Sequence, residues 1–579
     1  MSLRTEPPVS VRAGRLILGV WDVLAIVLVL ALIVVVARTS QGILAPLKTL
    51  DSEPVTLDLA NLPGYAGRTA LRMLAALALS LLFTFTYATL AAKSRRAEMI
   101  LIPVLDILQS VPILGFISVT VIWFMSLAPG RVLGAEFAAV FAIFTSQAWN
   151  MAFSFYQSLR TVPDDLVEAS HNLQMSGWMR FWRVEVPFAM PALVWNMMMS
   201  MSGAWFFVVA AEAISVGDTT ITLPGIGAYI ALAIQQENLA AIGWVIATML
   251  VVILIYDQIV FRPLVAWVDR FRYEQEAGVR ESQSWVLVIL RRSALLHAAR
   301  AGIAGLIGAA GRLRVLPQRR SRPIPDPGHQ QRGWGDWAWL IALAATVALA
   351  LWEIIEFVLA SLSGTDVVDA ALRGGATFTR VIVLIALASL VWVPVAVWIG
   401  LRPRWAQRIQ PLVQFLAAFP ANVAFPVAVS AIVALRLDPD IWLSPLMVLG
   451  TQWYILFNVI AGASTIPSEL RDVSANLQVH GWLWWRRVAL PAIFPYYLTG
   501  AITAAGGSWN ASIVAELASW GDTQLAAYGL GSYIARATAK ADFPRIVLGI
   551  AVMSALVVLL NRLFWRPLYR YAEQRFRAG

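Results

Sequence analysis

The 579-residue sequence contains no cysteine and only three lysines, Lys48, Lys93 and Lys540. Without cysteine there is no disulfide, no thiolate metal site and no cysteine nucleophile. No G-x-x-x-x-G-K-S/T stretch is present, so the chain has no P-loop nucleotide site of its own. Charge is scarce as well: Asp, Glu, Lys and Arg make up 13 % of residues, against about 25 % in a typical soluble domain. The four histidines (His171, His297, His329 and His480) are scattered and form no ligand cluster. No metal and no cofactor is expected. A cleavable leader is not expected either, because the first apolar block is too long for one and lacks a small-residue cleavage site.

What is present is hydrophobic. Apolar residues make up 59 % of the chain, in blocks long enough to cross a bilayer, which takes roughly 20 residues per helix. Twelve spans are predicted. The first six lie near 16–37, 70–92, 100–127, 134–158, 188–212 and 240–261, and the second six near 336–361, 377–401, 411–435, 441–463, 491–516 and 542–565. The net charge of +10 comes from arginines placed between these blocks, where they orient helices against the membrane rather than bind nucleic acid. Arg4, Arg12, Arg15, Arg95, Arg96, Arg160, Arg183, Arg404, Arg487 and Arg570 all fall on one side if spans alternate. By the positive-inside rule both termini are then cytoplasmic. The expected class is an all-α polytopic membrane protein of two tandem six-helix units, related by a pseudo-twofold axis along the membrane normal. Residues 1–15 form a cytoplasmic amino terminus, 16–272 the first unit, 273–335 a basic linker and 336–579 the second unit. The linker carries the breakers Pro317, Pro323, Pro325 and Pro327, and its apolar pieces 285–290 and 295–307 suggest an amphipathic surface helix.

Two halves are visible directly as self-similarity at an offset of 304 residues. Thr161-Val162-Pro163 matches Thr465-Ile466-Pro467, and Asn172-Leu173-Gln174 matches Asn476-Leu477-Gln478. Across 161–191 there are 13 identities in 31 ungapped positions. The register holds through Glu212/Glu516, Gly217-Asp218-Thr219/Gly521-Asp522-Thr523 and Gly225-x-Gly227/Gly529-x-Gly531, to Arg262-Pro263-Leu264/Arg566-Pro567-Leu568. Parallel repeats of this kind enclose a path between the halves in many transporters.

The strongest local signal lies between the fourth and fifth spans of each half, at 161–187 and 465–491. Pro163 suits the first position of a helix, and Asp164 and Asp165 complement its positive end. Leu166, Ala169 and Leu173 share one face, as do Leu470, Val473 and Leu477. Gly177 is read as the helix breaker, and an aromatic-basic stretch then leads to Pro187 at the membrane.

These segments resemble the "EAA" loop of ABC importer permeases: Glu168-Ala169-Ser170, then Trp178, Phe181, Arg183-Val184, Pro187 and Pro191. Glu212 with Gly225-Ile226-Gly227 and Ile230, and Glu516 with Gly529-Leu530-Gly531 and Ile534, are similar to the nitrate/sulfonate/taurine/bicarbonate branch. Two departures stand out. Gln174 and Gln478 occupy the family's glycine position, and Asp472-Val473 replaces Glu-Ala. The resemblance implies coupling helices that dock on a separate ATPase. The docking residues would be Asp165, Leu166, Glu168, Ala169, Ser170 and Gly177 in one half, and Glu469, Leu470, Asp472, Val473, Ser474 and Gly481 in the other. It further implies two copies of a P-loop ATPase, an extracytoplasmic solute-binding protein, a prokaryotic inner membrane, no catalytic residue in this chain and a small anion as substrate.

Polar groups within or at the ends of spans are candidates for the path or a gate: Gln109, Asn150, Trp205, Glu212, Trp509, Asn510 and Glu516. Each also has an ordinary reading as an interhelical bond or helix cap. An ion-gradient transporter, and a non-transporting scaffold that recruits an ATPase, are the alternatives from other classes.

Overall fold

The computed structural model describes residues 20–40, 43–47, 54–110, 113–216, 219–268, 284–293 and 334–576. The expected amino-terminal tail, the linker apart from 284–293, and Gly217-Asp218 lie outside the described residues. So does the apolar piece 295–307.

The first half runs α1 (Val20–Thr39), α2 (Leu62–Lys93), α3 (Arg95–Ser110), α4 (Ile113–Leu127) and α5 (Val132–Arg160). The short α6 (Asp164–Asn172) and α7 (Gly177–Arg180) follow, then α8 (Val186–Ala211). A hairpin of β1 (Ala213–Val216) and β2 (Thr219–Thr222) leads to α9 (Ile226–Gln235) and α10 (Leu239–Val268). A linker helix, α11 (Trp285–Arg292), closes the half.

The second half repeats the order: α12 (Trp334–Ser361), α13 (Gly364–Gly400), α14 (Pro403–Ala418), α15 (Phe425–Ala434), and the short α16 (Pro439–Trp442) and α17 (Leu446–Leu449). After α18 (Gln452–Ser464) come α19 (Ser468–Asn476), α20 (Gly481–Trp484) and α21 (Leu490–Ala515). The hairpin β3 (Leu517–Trp520) and β4 (Thr523–Ala526) precedes α22 (Leu530–Ala539) and α23 (Phe543–Ala572). Among the described residues the fold is all-α apart from these two antiparallel hairpins, whose registers Ala213↔Thr222 and Leu517↔Ala526 repeat each other.

Among the described residues, seven helices are long and apolar enough to cross a membrane, or nine if each of two bent pairs is one span. In the second half the third segment is broken: α14 and α15 are separated by a 3-10 turn at Ala421–Val423. Pro420 and Pro426 flank this break, and proline removes a helix donor and clashes with the preceding turn. The fourth span of the second half is likewise bent, by 43° between Pro439–Leu449 and Gln452–Ser464.

Packing follows from small residues. α2 buries Ala66, Ala76, Ser80, Thr84 and Ala88 and packs closely on α5, where Ser80 donates to the Phe144 carbonyl at 3.4 Å, and Gly134 of α5 comes up against Met125 of α4. Side chains this small let membrane helices approach closely where water supplies no driving force. α5 then packs on α8, and the second half repeats the arrangement with α13, α18 and α21. Each half also sends its third segment into the other: α4 contacts α21 and α23, and α14 contacts α8 and α10. Asn422 Nδ2 donates to the Phe206 carbonyl across this seam at 3.0 Å, and Trp195 stacks on Phe457 at 5.0 Å. The linker helix α11 does not float free. Arg292 lies 5.0 Å over the Trp21 ring, and Ser293 donates to buried Asp22 at 2.7 Å, fixing it to α1.

Candidate functional site: coupling helices and buried charge clamps

At one end of α8 and of α21 stands a protruding helix, and at the other end a buried cluster of charges. The protruding helices are α6 and α19, nine residues each. Helix α6 starts at Asp164 with Pro163 as its cap residue, one position before the expected place. Leu166, Leu173, Leu470, Val473 and Leu477 are all exposed, as are Asp165, Glu168, Ala169, Glu469 and Asp472. Ser170 and Ser474 point inward, and each hydroxyl donates to the carbonyl of a residue in the preceding turn, Val167 and Leu470, at 2.6 Å.

The breaker is not Gly177. The helix ends at Leu173, and the chain turns through Gln174 with φ 50°, matched by Gln478 with φ 51°. This left-handed conformation disfavours side chains with a Cβ by roughly 1–2 kcal/mol, which explains a glycine preference at the position. Here glutamine is held there by the closing bonds Met175 N to Ser170 O (3.0 Å) and Val479 N to Ser474 O (2.9 Å). Gly177 and Gly481 instead open the next short helices, α7 and α20. The first loop is braced further: Glu185 receives Lys93 Nζ at 2.8 Å and Arg180 Nε at 2.9 Å. Ala489 stands at the matching position of the second half.

The far ends of α8 and α21 carry the clamps. Glu212, fully buried, accepts from Thr69 Oγ1 at 2.7 Å, Arg72 Nη1 at 2.6 Å and the Gly227 amide at 2.7 Å. Arg72 also grips Glu136 with two bonds, at 2.7 and 2.6 Å, and donates to the Pro224 carbonyl at 3.1 Å. One cluster thus joins α2, α5, the end of α8 and the amino end of α9, whose amides favour a carboxylate. Glycine is required at the contact: a Cβ on Gly225 would overlap the Glu212 carboxylate, and one on Gly227 would overlap the Val209 carbonyl.

The second half rebuilds this with Glu516, Thr377 (2.8 Å), Arg380 (3.2 Å) and the Gly531 amide (2.8 Å). Asp440 replaces Glu136, bonding Arg380 Nη2 at 2.8 Å and the Tyr528 amide at 2.6 Å. The copies are unequal. Arg72 is 3 % exposed between two buried carboxylates, whereas Asp440 is 51 % exposed.

The expected path residues are dispersed. Gln109 donates to Asn150 at 3.3 Å. Trp205 and Trp509 are buried, Trp509 against Phe378. Glu212 and Glu516 belong to the clamps. Asn510 lines a cavity of about 80 Å³ at the seam, with Phe206, Phe419, Phe425, Thr451 and Tyr454. Thr69, Arg72, Glu136, Thr377, Arg380 and Asp440 were not singled out from sequence. A signal existed: Thr-x-x-Arg recurs at an offset of 308 rather than 304.

The chain is similar to a bicarbonate transport system permease protein, CmpB, of Synechococcus elongatus, 28 % identical over 187 residues, 32 % of this chain and 64 % of that one. It is similar also to a nitrate import permease protein, NrtB, of Synechocystis, 26 % identical over 202 residues, covering 34 % of this chain and 70 % of that one. A probable ABC transporter permease of Brucella abortus is 25 % identical over 249 residues, 42 % of this chain and 93 % of that one. Residues 84–271 and again 392–578 match the binding-protein-dependent transport system inner membrane component. With these two units covering most of its length, the chain belongs to that family of transport permeases as a tandem duplicate.

Proposed function

We propose that this chain supplies both membrane halves of an ATP-driven importer of a small anion, with ATP hydrolysed by separate subunits that dock on α6 and α19. The observation that carries the reading is the pair of exposed helices at matching positions, each with an unfilled apolar ridge and an acidic flank. An amphipathic helix of this kind fills a groove on a partner. One chain holds two such helices, so two ATPase copies meet one permease. Their side is then cytoplasmic, with both termini, and the hairpins and clamps lie at the opposite face, where a solute-binding protein would deliver substrate.

Nitrate and bicarbonate are the substrates named for the relatives, and a small oxyanion is the class we infer here. The seam cavity is small, about 80 Å³, and its aromatic lining suits a closed constriction. The clamps serve as rigid corners that make each hairpin and following helix move with α2 and α5. An ion-gradient transporter would want a free carboxylate within the membrane; Glu212 and Glu516 are both saturated with donors.

The test is to purify the tagged chain from native membranes in mild detergent and identify its companions. A P-loop ATPase should accompany it and be lost when Glu168→Arg and Asp472→Arg are combined. Failure to recover an ATPase even after cross-linking would sink the reading. Uptake of labelled nitrate and bicarbonate by the recovered complex then decides the substrate.

A further inference from the structure

A second cavity, of about 610 Å³, opens between the halves. It lies between Met201 and Trp205 of α8, Tyr256 and Phe261 of α10, and Leu412 and Phe415 of α14. Its volume falls in the range of ligand pockets, roughly 300–1,000 Å³, and its wall is apolar with few polar groups, as in such pockets.

Three observations point to an occupant. Tyr256 is 5 % exposed and packs edge-on against Trp205 at 5.6 Å, yet its hydroxyl is buried without a hydrogen-bond partner among the described residues. Such an orphan is costly and asks for a partner. Next to it the helix makes a π turn, Asp257–Phe261, a distortion that often marks functional sites. The turn sets Asp257 and Arg262 as an ion pair at the cavity, 3.2 Å apart and half-exposed. Finally, the repeat keeps the turn, as Asn561–Trp565, but carries Leu560 and Asn561 in place of Tyr256 and Asp257. The turn therefore forms without the hydroxyl or the carboxylate.

Around this cavity the outer surface of α10 is apolar and exposed, with Leu254, itself part of the cavity wall, beside Ile255 and Ile259, on a helix apolar enough to cross the bilayer. We propose that the cavity holds a lipid taken from the bilayer. Its acyl chain lies between Trp205, Met201 and Phe415, an ester oxygen accepts from the Tyr256 hydroxyl, and an anionic head sits at Arg262. The site is independent of which solute passes between the halves.

The test uses the full chain in nanodiscs containing a phosphatidylglycerol with a diazirine in its tail, irradiated and mapped by peptide mass spectrometry. Adducts should concentrate on the cavity walls of α8, α10 and α14 and be sparse around Leu560. Tyr256→Phe should lower their yield roughly threefold at sub-saturating probe, the loss of one hydrogen bond, without lowering the unfolding temperature. Ala418→Trp should fill the cavity and abolish them. Equal adducts in both halves, or a yield unchanged by Tyr256→Phe, would overturn the site. A quaternary-ammonium lipid with the same tail should label less; equal labelling overturns the anionic head.

Discussion

Removing the arginine of each clamp gives a sharp test of the asymmetry between the halves. Arg72 is buried between Glu136, whose side chain is 10 % exposed, and Glu212, which is fully buried. Arg72→Met leaves two carboxylates uncompensated. Breaking a buried ion pair by deleting one partner costs about 3–5 kcal/mol, and here the lower bound is set by one pair alone. Arg380→Met strands only Glu516, since Asp440 is half in solvent. Its cost should be nearer that of a charged hydrogen bond, about 1.5–3 kcal/mol. For a unit of this size each kcal/mol shifts the midpoint by roughly 2–4 °C. Between the centres of these ranges the difference is about 2 kcal/mol, so Arg72→Met should unfold roughly 4–8 °C below Arg380→Met. Intrinsic fluorescence of the 25 tryptophans follows the transition in mild detergent. Combining Arg72→Met with Glu136→Gln and Glu212→Gln should recover most of the loss, because removing all the charges together removes the desolvation penalty too. Equal shifts for the two arginine variants, or no recovery in the triple variant, would refute the reasoning.

Gln174→Gly and Gln478→Gly should be neutral or stabilising by up to about 1 kcal/mol, since relief of the left-handed Cβ strain outweighs glycine's chain entropy; slower proteolysis of the α6 and α19 loops would show it. Gln174→Val should do the reverse and lower ATPase recovery. Gly225→Ala and Gly529→Ala each push a methyl into a clamp carboxylate, so detergent extraction should give aggregated rather than monodisperse protein by size-exclusion chromatography. Phe206→Ala and Phe425→Ala together open the aromatic constriction at the seam, and vesicles carrying the variant should leak nitrate without ATP while the parent chain does not.

The elements that sequence predicted well are those whose signal is local. An apolar block of bilayer length needs no partner to be recognised, and α2, α5, α13 and α23 stand where the blocks stood. The helices α6 and α19 were legible because their pattern is short and repeats without a gap. The broken third span of the second half was not, because proline at a span's centre is tolerated in some membrane helices and ends others; Pro191 and Pro495 lie inside helices that run on past them. Position alone does not tell the two apart, since the outcome depends on whether a neighbouring helix satisfies the freed carbonyl.

The clamps show a different limit. Glu212 and Glu516 drew notice as carboxylates at apolar depth, but nothing in the local sequence around Arg72 and Arg380 singles them out. Their partners lie 64 and 140 residues away in the first half, 60 and 136 in the second. The second half is four residues shorter between the arginine and its acidic partner, and this slip moves Thr-x-x-Arg out of the 304-residue register that revealed everything downstream. Four residues is close to one helical turn, about 3.6. A deletion of that length in α13 or the segment after it returns each side chain to nearly the same face, so the cluster survives while the ungapped comparison fails. Charge inside a membrane helix is costly enough that a lone arginine repeated in two halves implies a buried acid for each. Applied to Thr69-x-x-Arg72 and Thr377-x-x-Arg380, that rule leads from the sequence to the acids that repeat in register near span ends, Glu212 with Glu516 and Glu136 with Asp440.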